Sequence, residues 1–107
     1  MTETINRITD MANASDFELK HTPNIEITGS DDNATIRVSM GLQGIAHPQT
    51  EEHYIEWIRV LCDGTEIGRM DFAPSEAPVA EFKLDCSGKV VVAQALCNLH
   101  GIWEAQA

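Results

Sequence analysis

The fold is decided by the stretch Tyr54-Ile-Glu-Trp-Ile-Arg-Val-Leu-Cys62, followed by Asp63-Gly64 and then by Thr65-Glu-Ile-Gly-Arg-Met-Asp-Phe72. The first segment is apolar on both faces, which is typical of a strand inside a sheet. Asp-Gly is a strong signal for a two-residue hairpin turn, because both residues tolerate a positive φ. The second segment then returns as the partner strand. The stretch therefore predicts a β-hairpin.

The remainder of the chain repeats this pattern of short strands. Three segments alternate apolar with polar residues, which predicts half-buried strands, and they span residues 25–27, 36–40 and 80–84. A β-branched run at 89–96 predicts a buried strand. Turn formers at 29–33 and 87–88, and two prolines in the segment 73–78, separate the strands. Six or seven short strands without a long helix predict an all-β fold, an antiparallel β-sandwich of about seven strands.

The length of 107 residues predicts one domain. Residues 1–15 are polar, and the spacing of Ile5, Ile8 and Ala12 fits an N-terminal arm or a short helix. We therefore divide the chain into this N-terminal segment, 1–15, and the sandwich, 16–107.

The chain is strongly acidic, with 17 acidic against 7 basic residues and a formal net charge of -10. This charge argues against binding to nucleic acid or to an anionic membrane, because both require a basic surface. A small anion is still a possible substrate, since a local cation outweighs distant charges that salt screens. The chain shows no signal-peptide core and no membrane span, which predicts a cytoplasmic protein.

Three cysteines are too few for a disulfide framework and fit a reducing compartment. Two of them, Cys62 and Cys86, lie in segments that look like strands. We interpret both as buried thiols that pack as small apolar side chains.

Five side chains that can bind a metal lie at the predicted ends of strands: His21, His47, His53, Cys97 and His100. In a sandwich, strand ends from distant parts of the chain meet at one end, so these side chains could converge. A lone histidine is more often a surface residue or a hydrogen-bonded core residue than a ligand. The spacing Cys-x-x-His is also a weak signal by itself. The residues alone therefore leave open both a metal site and a set of unrelated histidines.

The ligand set indicates which metal such a site would prefer. Four imidazoles and one thiolate exceed the four ligands of a structural zinc site. A nitrogen-rich set with one thiolate suits a redox-active iron better than zinc. A thiolate also donates electron density through the metal to whatever binds opposite, as in thiolate-ligated haem. These points favour a redox site for a small molecule over a purely structural site.

Three blocks of sequence resemble a known family. The segment His47-Pro-Gln-Thr-Glu-Glu-His-Tyr-Ile-Glu-Trp-Ile58 closely resembles the His-Pro…His-Tyr-Ile-Glu-Trp-Ile motif of superoxide reductases, which include the neelaredoxins and the iron-binding domain of desulfoferrodoxins. Cys97-Asn-Leu-His-Gly-Ile-Trp103 is similar to the family motif Cys-Asn-x-His-Gly-Leu-Trp, and Lys20-His-Thr-Pro23 is similar to Lys-His-x-Pro. The blocks occur in the family's order, and the resemblance extends from about residue 16 to Trp103.

The resemblance implies an immunoglobulin-like β-sandwich with a mononuclear non-haem iron. The implied equatorial ligands are His21, His47, His53 and His100, and the implied axial thiolate is Cys97. It also implies one-electron reduction of superoxide to hydrogen peroxide, a rubredoxin-like electron donor and a homo-oligomer, either a tetramer or a dimer. Three cysteines cannot supply the four-cysteine second iron centre of desulfoferrodoxins, so the one-iron type is expected. The alternative is a non-enzymatic metal-binding sandwich that serves as a sensor, store or electron-transfer centre.

Lys20 precedes a predicted ligand, and the resemblance implies a catalytic role for it. Its ammonium would attract a small anion and help to supply a proton through a water molecule. Many family members have Glu directly before this Lys, as a sixth ligand of oxidised iron, but Leu19 stands there in this chain. Glu18 is one residue earlier, and a one-residue slip in an extended segment reverses the side chain. We therefore assign no ligand role to Glu18. Gln49 replaces a frequent Met, a change that we expect to matter little.

Overall fold

Two β-sheets make up the computed structural model, which describes residues 5–29, 34–45, 47–84 and 90–107. The strands in chain order are β1 (Ile5–Asn6), β2 (Pro23–Thr28), β3 (Ala34–Met40), β4 (Ile55–Cys62), β5 (Thr65–Asp71), β6 (Val79–Leu84), β7 (Val91–Cys97) and β8 (Gly101–Gln106). A 3-10 turn at Met11–Asn13 and one short helix, α1 (Asp16–His21), precede β2. The larger sheet has the order β1-β8-β7-β4-β5, and the smaller has the order β2-β3-β6.

The predicted all-β sandwich is confirmed, with one strand more in the described residues than the seven expected. Neighbouring strands pair antiparallel, except that β1 pairs parallel with β8. Strands β1 and β8 were not predicted, because residues 1–15 were expected to form an arm or a short helix and the chain was expected to leave the sheet after Cys97. The division at residue 15 stays a prediction.

The core lies between the two sheets and consists of aliphatic side chains from both. Its most buried members are 0% exposed, and they are Ile36, Val38, Ile58, Val60 and Ala93. Burying one Val or Ile side chain contributes about 1.5–3 kcal/mol. Ile36 and Val38 alternate with more exposed residues along β3, as the period-two pattern of the sequence predicts.

The predicted hairpin is present as β4 and β5, joined at Asp63 and Gly64. Their φ angles are +47° and +85°, which is the left-handed conformation that an Asp-Gly turn supplies. Strand β4 lies inside its sheet, between β7 and β5, as expected of a strand that is apolar on both faces. The predicted turn at 29–33 falls, beyond Gly29, outside the described residues, as does the turn at 87–88.

The segment before β2 is helical, which corrects the extended conformation assumed around Lys20. Helix α1 begins at a capping box, in which the Ser15 hydroxyl accepts from the Glu18 backbone N–H and the Glu18 carboxylate accepts from the Ser15 backbone N–H. The side-chain reversal that an extended segment would give at Glu18 therefore does not apply, because Glu18 and Lys20 both lie in α1. Glu18 still takes no part in the site, because its carboxylate faces the start of the helix.

The structure tests one of the two predictions about the cysteines outside the candidate site. Cys62 is disulfide-bonded, so the prediction of a free buried thiol there is wrong. Cys86 lies outside the described residues.

In the part of the chain that is described, no helix is long and apolar enough to cross a membrane.

Candidate metal centre

Three segments meet at one end of the sandwich because antiparallel neighbours place the start of one strand beside the end of the next. Ile55, the first residue of β4, is paired with Cys97, the last residue of β7. Cys97 also pairs with Gly101 at the start of β8, across the turn that carries His100. The segment 47–54 before β4 and the last residue of α1, His21, complete this end.

His21 is completely buried, and its ring is held by the helix that carries it. Its Nδ1 lies 2.6 Å from the Phe17 carbonyl oxygen, one helical turn earlier. Since a carbonyl only accepts, Nδ1 carries the proton and Nε2 presents a lone pair. Burial is the main cause that lowers the pKa of His21 from 6.5 to about 4, so the ring is neutral at pH 7.

His47 repeats this arrangement in the segment before β4. Its Nδ1 lies 2.7 Å from the Pro48 carbonyl oxygen. Burial, as the largest cause, lowers its pKa to about 4. The Nε2 atoms of His47 and His53 are both buried and have no hydrogen-bond partner among the described residues. Leaving a buried polar atom unpaired costs about 1–3 kcal/mol, so both atoms indicate a site for a further partner.

Cys97 and His100 approach each other across the turn between β7 and β8. Cys97 is 1% exposed, and its Sγ lies 3.7 Å from Nδ1 of His100. Nδ1 of His100 is also 3.1 Å from Nε2 of His21. Burial raises the pKa of the Cys97 thiol, while the backbone N–H groups of Leu99 and His100 lower it. The thiolate therefore requires a nearby positive charge, which a metal ion supplies.

The structure brings the five predicted ligands together. The donor atoms of four of them lie within 4.8 Å of one another, in the group His21, His53, Cys97 and His100. His47 adjoins this group through its ring, whose centroid is 4.7 Å from that of His21 and 4.6 Å from that of His53. Imidazole nitrogens and a cysteine sulfur are donors that bind transition metals, and the rings of His21 and His47 are held neutral by burial, so the residues fit an iron ion.

Lys20 lies beside this group on α1. Its positive charge contributes to the lowered pKa of His21, His47 and His53, although burial is the largest cause for each. Its Nζ lies 6.0 Å from the centroid of the Phe17 ring. The lysine therefore adds a positive charge next to the candidate ligands.

Aromatic rings surround one side of the group. The Phe17 ring contacts those of His21 and His100, at centroid distances of 4.5 and 4.8 Å. The centroid of the Trp103 ring lies 5.4 Å from that of His21. Trp57 is buried in β4, and the guanidinium carbons of Arg59 and Arg69 lie 4.9 and 5.0 Å from the centroid of its ring.

The sequence analysis missed the role of Phe17, since a single aromatic residue in a short helix is not a recognisable signal. It also gave no role to Asn98, which belongs to a quoted motif, or to Gln49. Both make hydrogen bonds to the segment that carries His53. The expectation that Gln49 matters little is therefore at odds with its contacts.

The position of the missing carboxylate is occupied by a core residue. Leu19 is 6% exposed and packs into the interior, and its carbonyl accepts from the backbone N–H of Leu42. Within the described residues, the group of candidate ligands contains no carboxylate.

Comparisons with known proteins identify a family that this chain resembles over most of its length. The desulfoferrodoxin family model matches residues 13–106. A desulfoferrodoxin from Nitratidesulfovibrio vulgaris is 41% identical over 88 residues, which are 82% of this chain and 63% of that protein. A desulfoferrodoxin homologue from Archaeoglobus fulgidus is 40% identical over 86 residues, 80% of this chain and 62% of the relative. The chain thus spans just under two thirds of the length of these two curated relatives.

Solved structures of similar sequence have the same fold. A superoxide reductase (neelaredoxin) from Ignicoccus hospitalis is 30% identical and has a TM-score of 0.75, and the match covers 95% of this chain and 90% of that one. The family model covers most of the chain, and the relatives exceed 30% identity over about four fifths of it. The chain therefore belongs to the desulfoferrodoxin family.

Proposed function

We propose that this protein is a superoxide reductase, which reduces superoxide to hydrogen peroxide at a mononuclear iron. The proposed ligands are His21, His47, His53, His100 and Cys97. The observation that carries the proposal is the convergence of three histidines and one cysteine within 4.8 Å, beside a fourth histidine whose Nε2 is buried and unpaired. The names of the similar proteins support the same activity.

The reaction adds one electron and two protons to superoxide and yields hydrogen peroxide. A bound iron would supply the electron by changing from the ferrous to the ferric state. The neutral rings of His21 and His47 offer lone pairs without first losing a proton at pH 7, because burial has already lowered their pKa. The Cys97 sulfur would contribute electron density as a thiolate.

Lys20 is the proposed catalytic residue of the chain. Superoxide is an anion, and the protein carries a net charge of -10. A cation beside the candidate ligands attracts the substrate over the short range within which salt does not screen it. The ammonium is also a proton donor, and we propose that it supplies a proton through a bound water molecule.

We further propose that a rubredoxin-like protein returns the electron and that the protein is a homo-oligomer. Both proposals rest on the family resemblance. Consumption of one electron in each turnover requires a donor, whichever protein provides it.

A superoxide pulse tests the proposed activity. Protein loaded with ferrous iron without oxygen should consume superoxide faster than free aqueous iron does, and should form peroxide without releasing oxygen. Lys20→Met should slow this reaction and weaken its dependence on ionic strength, whereas Lys83→Met, which changes an exposed lysine of β6, should not. Release of half a molecule of oxygen per superoxide would contradict reduction, because it is the product of dismutation.

A second function is favoured by one observation. Leu19 is buried where many family members have Glu, so a feature of the family's site is missing. The second candidate is therefore a non-enzymatic metal site that acts as a sensor, store or electron-transfer centre. Reaction with superoxide no faster than that of free aqueous iron would favour it.

A further inference from the structure

We propose that Gln49 and Asn98 are positioning residues, whose side-chain amides hold the backbone around His53 so that its imidazole is in place for the metal. The inference rests on the proposed metal site and deepens it. Neither residue is a candidate ligand, and neither needs to touch substrate.

Asn98 joins the turn that carries Cys97 and His100 to the segment that carries His53. Its Oδ1 accepts from the Tyr54 backbone N–H at 2.9 Å, and its Nδ2 donates to the Glu52 carbonyl at 3.0 Å. Its own backbone N–H donates to the Tyr54 carbonyl at 3.1 Å. One residue thus makes three hydrogen bonds to the residues on either side of His53.

The side-chain amide of Gln49 makes hydrogen bonds at the other end of the same segment, where β4 begins. Its Oε1 accepts from the Ile55 backbone N–H at 2.8 Å, at the start of β4. Its Nε2 donates to the Glu76 carbonyl at 2.8 Å, in the connection between β5 and β6. That connection is itself fixed, since the Glu76 carboxylate accepts from the Ala73 backbone N–H.

Backbone hydrogen bonds between Thr50 and His53 complete the arrangement. The N–H of each residue donates to the carbonyl of the other, at 3.0 and 3.2 Å. Together with the contacts of Asn98 and Gln49, these bonds pair each backbone polar group from the Glu52 carbonyl to the Ile55 N–H. The segment is therefore held in one conformation although it belongs to neither sheet.

His53 is only half-buried, and it depends on its backbone more than the buried His21 and His47 do. The rings of His21 and His47 are each oriented by a bond from Nδ1 to a carbonyl. The His53 ring makes no such bond to any described residue, and its Nε2 is buried without a partner. Its direction is therefore set by the chain on either side, which Gln49 and Asn98 hold.

This difference predicts that the two amides control metal retention. Residues that orient metal ligands typically change metal affinity by about 10–100-fold when they are replaced. A methionine at position 49 has nearly the length of glutamine, but it cannot make either hydrogen bond. Gln49→Met therefore removes the contacts of the amide and retains most of its volume.

Cobalt(II) is the probe that tests the proposal, because its visible spectrum reports both thiolate binding and ligand geometry. Protein loaded with cobalt is mixed with an excess of chelator, and the rate of metal loss is followed. We expect Gln49→Met and Asn98→Ala to lose cobalt at least about tenfold faster than the original protein does, and their ligand-field bands to be shifted. Gln106→Met is the matched control, since Gln106 is exposed and distant from the site in β8.

Thermal unfolding of the metal-free variants distinguishes positioning of His53 from a general contribution to the stability of the fold. Faster metal loss and a changed spectrum with a nearly unchanged melting temperature support positioning. Gln49→Glu keeps the acceptor for Ile55 and loses the donor to Glu76, so it should lose metal at an intermediate rate. If Asn98→Ala does not fold, the comparison of Gln49→Met and Gln49→Glu with the control Gln106→Met tests the proposal.

Metal loss in Gln49→Met within about twofold of the rate of the original protein, with the same bands, would overturn the proposal. The experiment uses no superoxide. A protein that retains cobalt as predicted but fails to reduce superoxide with iron would therefore contradict the proposed function alone.

Discussion

Acid should destabilise the metal-free protein over a defined pH range, because His21 and His47 are buried as neutral rings. Both have a pKa of about 4 in the folded protein, against an ordinary value of 6.5 in the unfolded chain. Between these values the unfolded state binds more protons than the folded state. The free energy of unfolding should therefore decrease as the pH falls through this range, and the contribution levels off below about pH 4.

The size of the effect follows from the two pKa values. Between pH 7 and pH 5, each histidine should remove about 2 kcal/mol of stability, or about 4 kcal/mol for both. A small domain is stable by about 5–15 kcal/mol in total, so the loss is a large fraction. The range lies above the ordinary pKa of carboxylic acids, about 4, so the acidic residues contribute little.

Urea unfolding of the metal-free protein at pH 7, 6 and 5 measures this decrease. His47→Gln removes one of the two buried rings and should reduce the loss of stability between pH 7 and pH 5 by about 2 kcal/mol. A free energy of unfolding that stays constant to within about 1 kcal/mol from pH 7 to pH 5 would refute the claim that both rings are buried in the neutral form.

Two further predictions concern the scaffold. An alanine at Gly68 would place its Cβ 2.6 Å from a ring atom of Phe82 in the facing sheet, so Gly68→Ala should cost about 1–3 kcal/mol in urea unfolding; unchanged stability would show that the ring moves freely. Ser15→Ala removes the hydroxyl half of the capping box and should cost about 1 kcal/mol. Because α1 carries His21, the same variant should also release metal faster, and an unchanged rate would show that α1 does not depend on its cap.

The strands could be predicted because their burial is encoded locally. The alternation along β3 and the Asp63-Gly64 turn need no tertiary information, since each side chain's burial follows its neighbours at a period of two. Strand β8 was missed because its residues lack a clear alternation. Its pairing with β7 across the turn at His100 is a tertiary property.

The set of candidate ligands could be predicted by residue type, but the way the ligands are held could not. Helix α1 is only one and a half turns long, and its signal is the Ser15 to Glu18 capping box rather than a periodic apolar face. The amide contacts of Gln49 and Asn98 join segments that lie far apart in sequence. No spacing rule reports such contacts, so the sequence analysis gave these residues no role.

The cysteines show a further limit of sequence reasoning. Cys97 was singled out by its spacing to His100, and its buried Sγ lies close to that ring. Cys62 was interpreted as a buried thiol because it lies in a segment that looks like a strand, yet it is disulfide-bonded. The number of cysteines cannot reveal pairing, since a disulfide depends on the distance and relative orientation of two cysteines in the folded chain.

The visible spectrum of the oxidised, iron-loaded protein tests the central claim most directly, namely that Cys97 and the four histidines hold one iron. One iron per chain and an intense visible band from thiolate-to-iron charge transfer are expected, and the band should be lost in Cys97→Ser. A protein that binds no stoichiometric iron, or a Cys97→Ser variant that keeps the band, would contradict the claim.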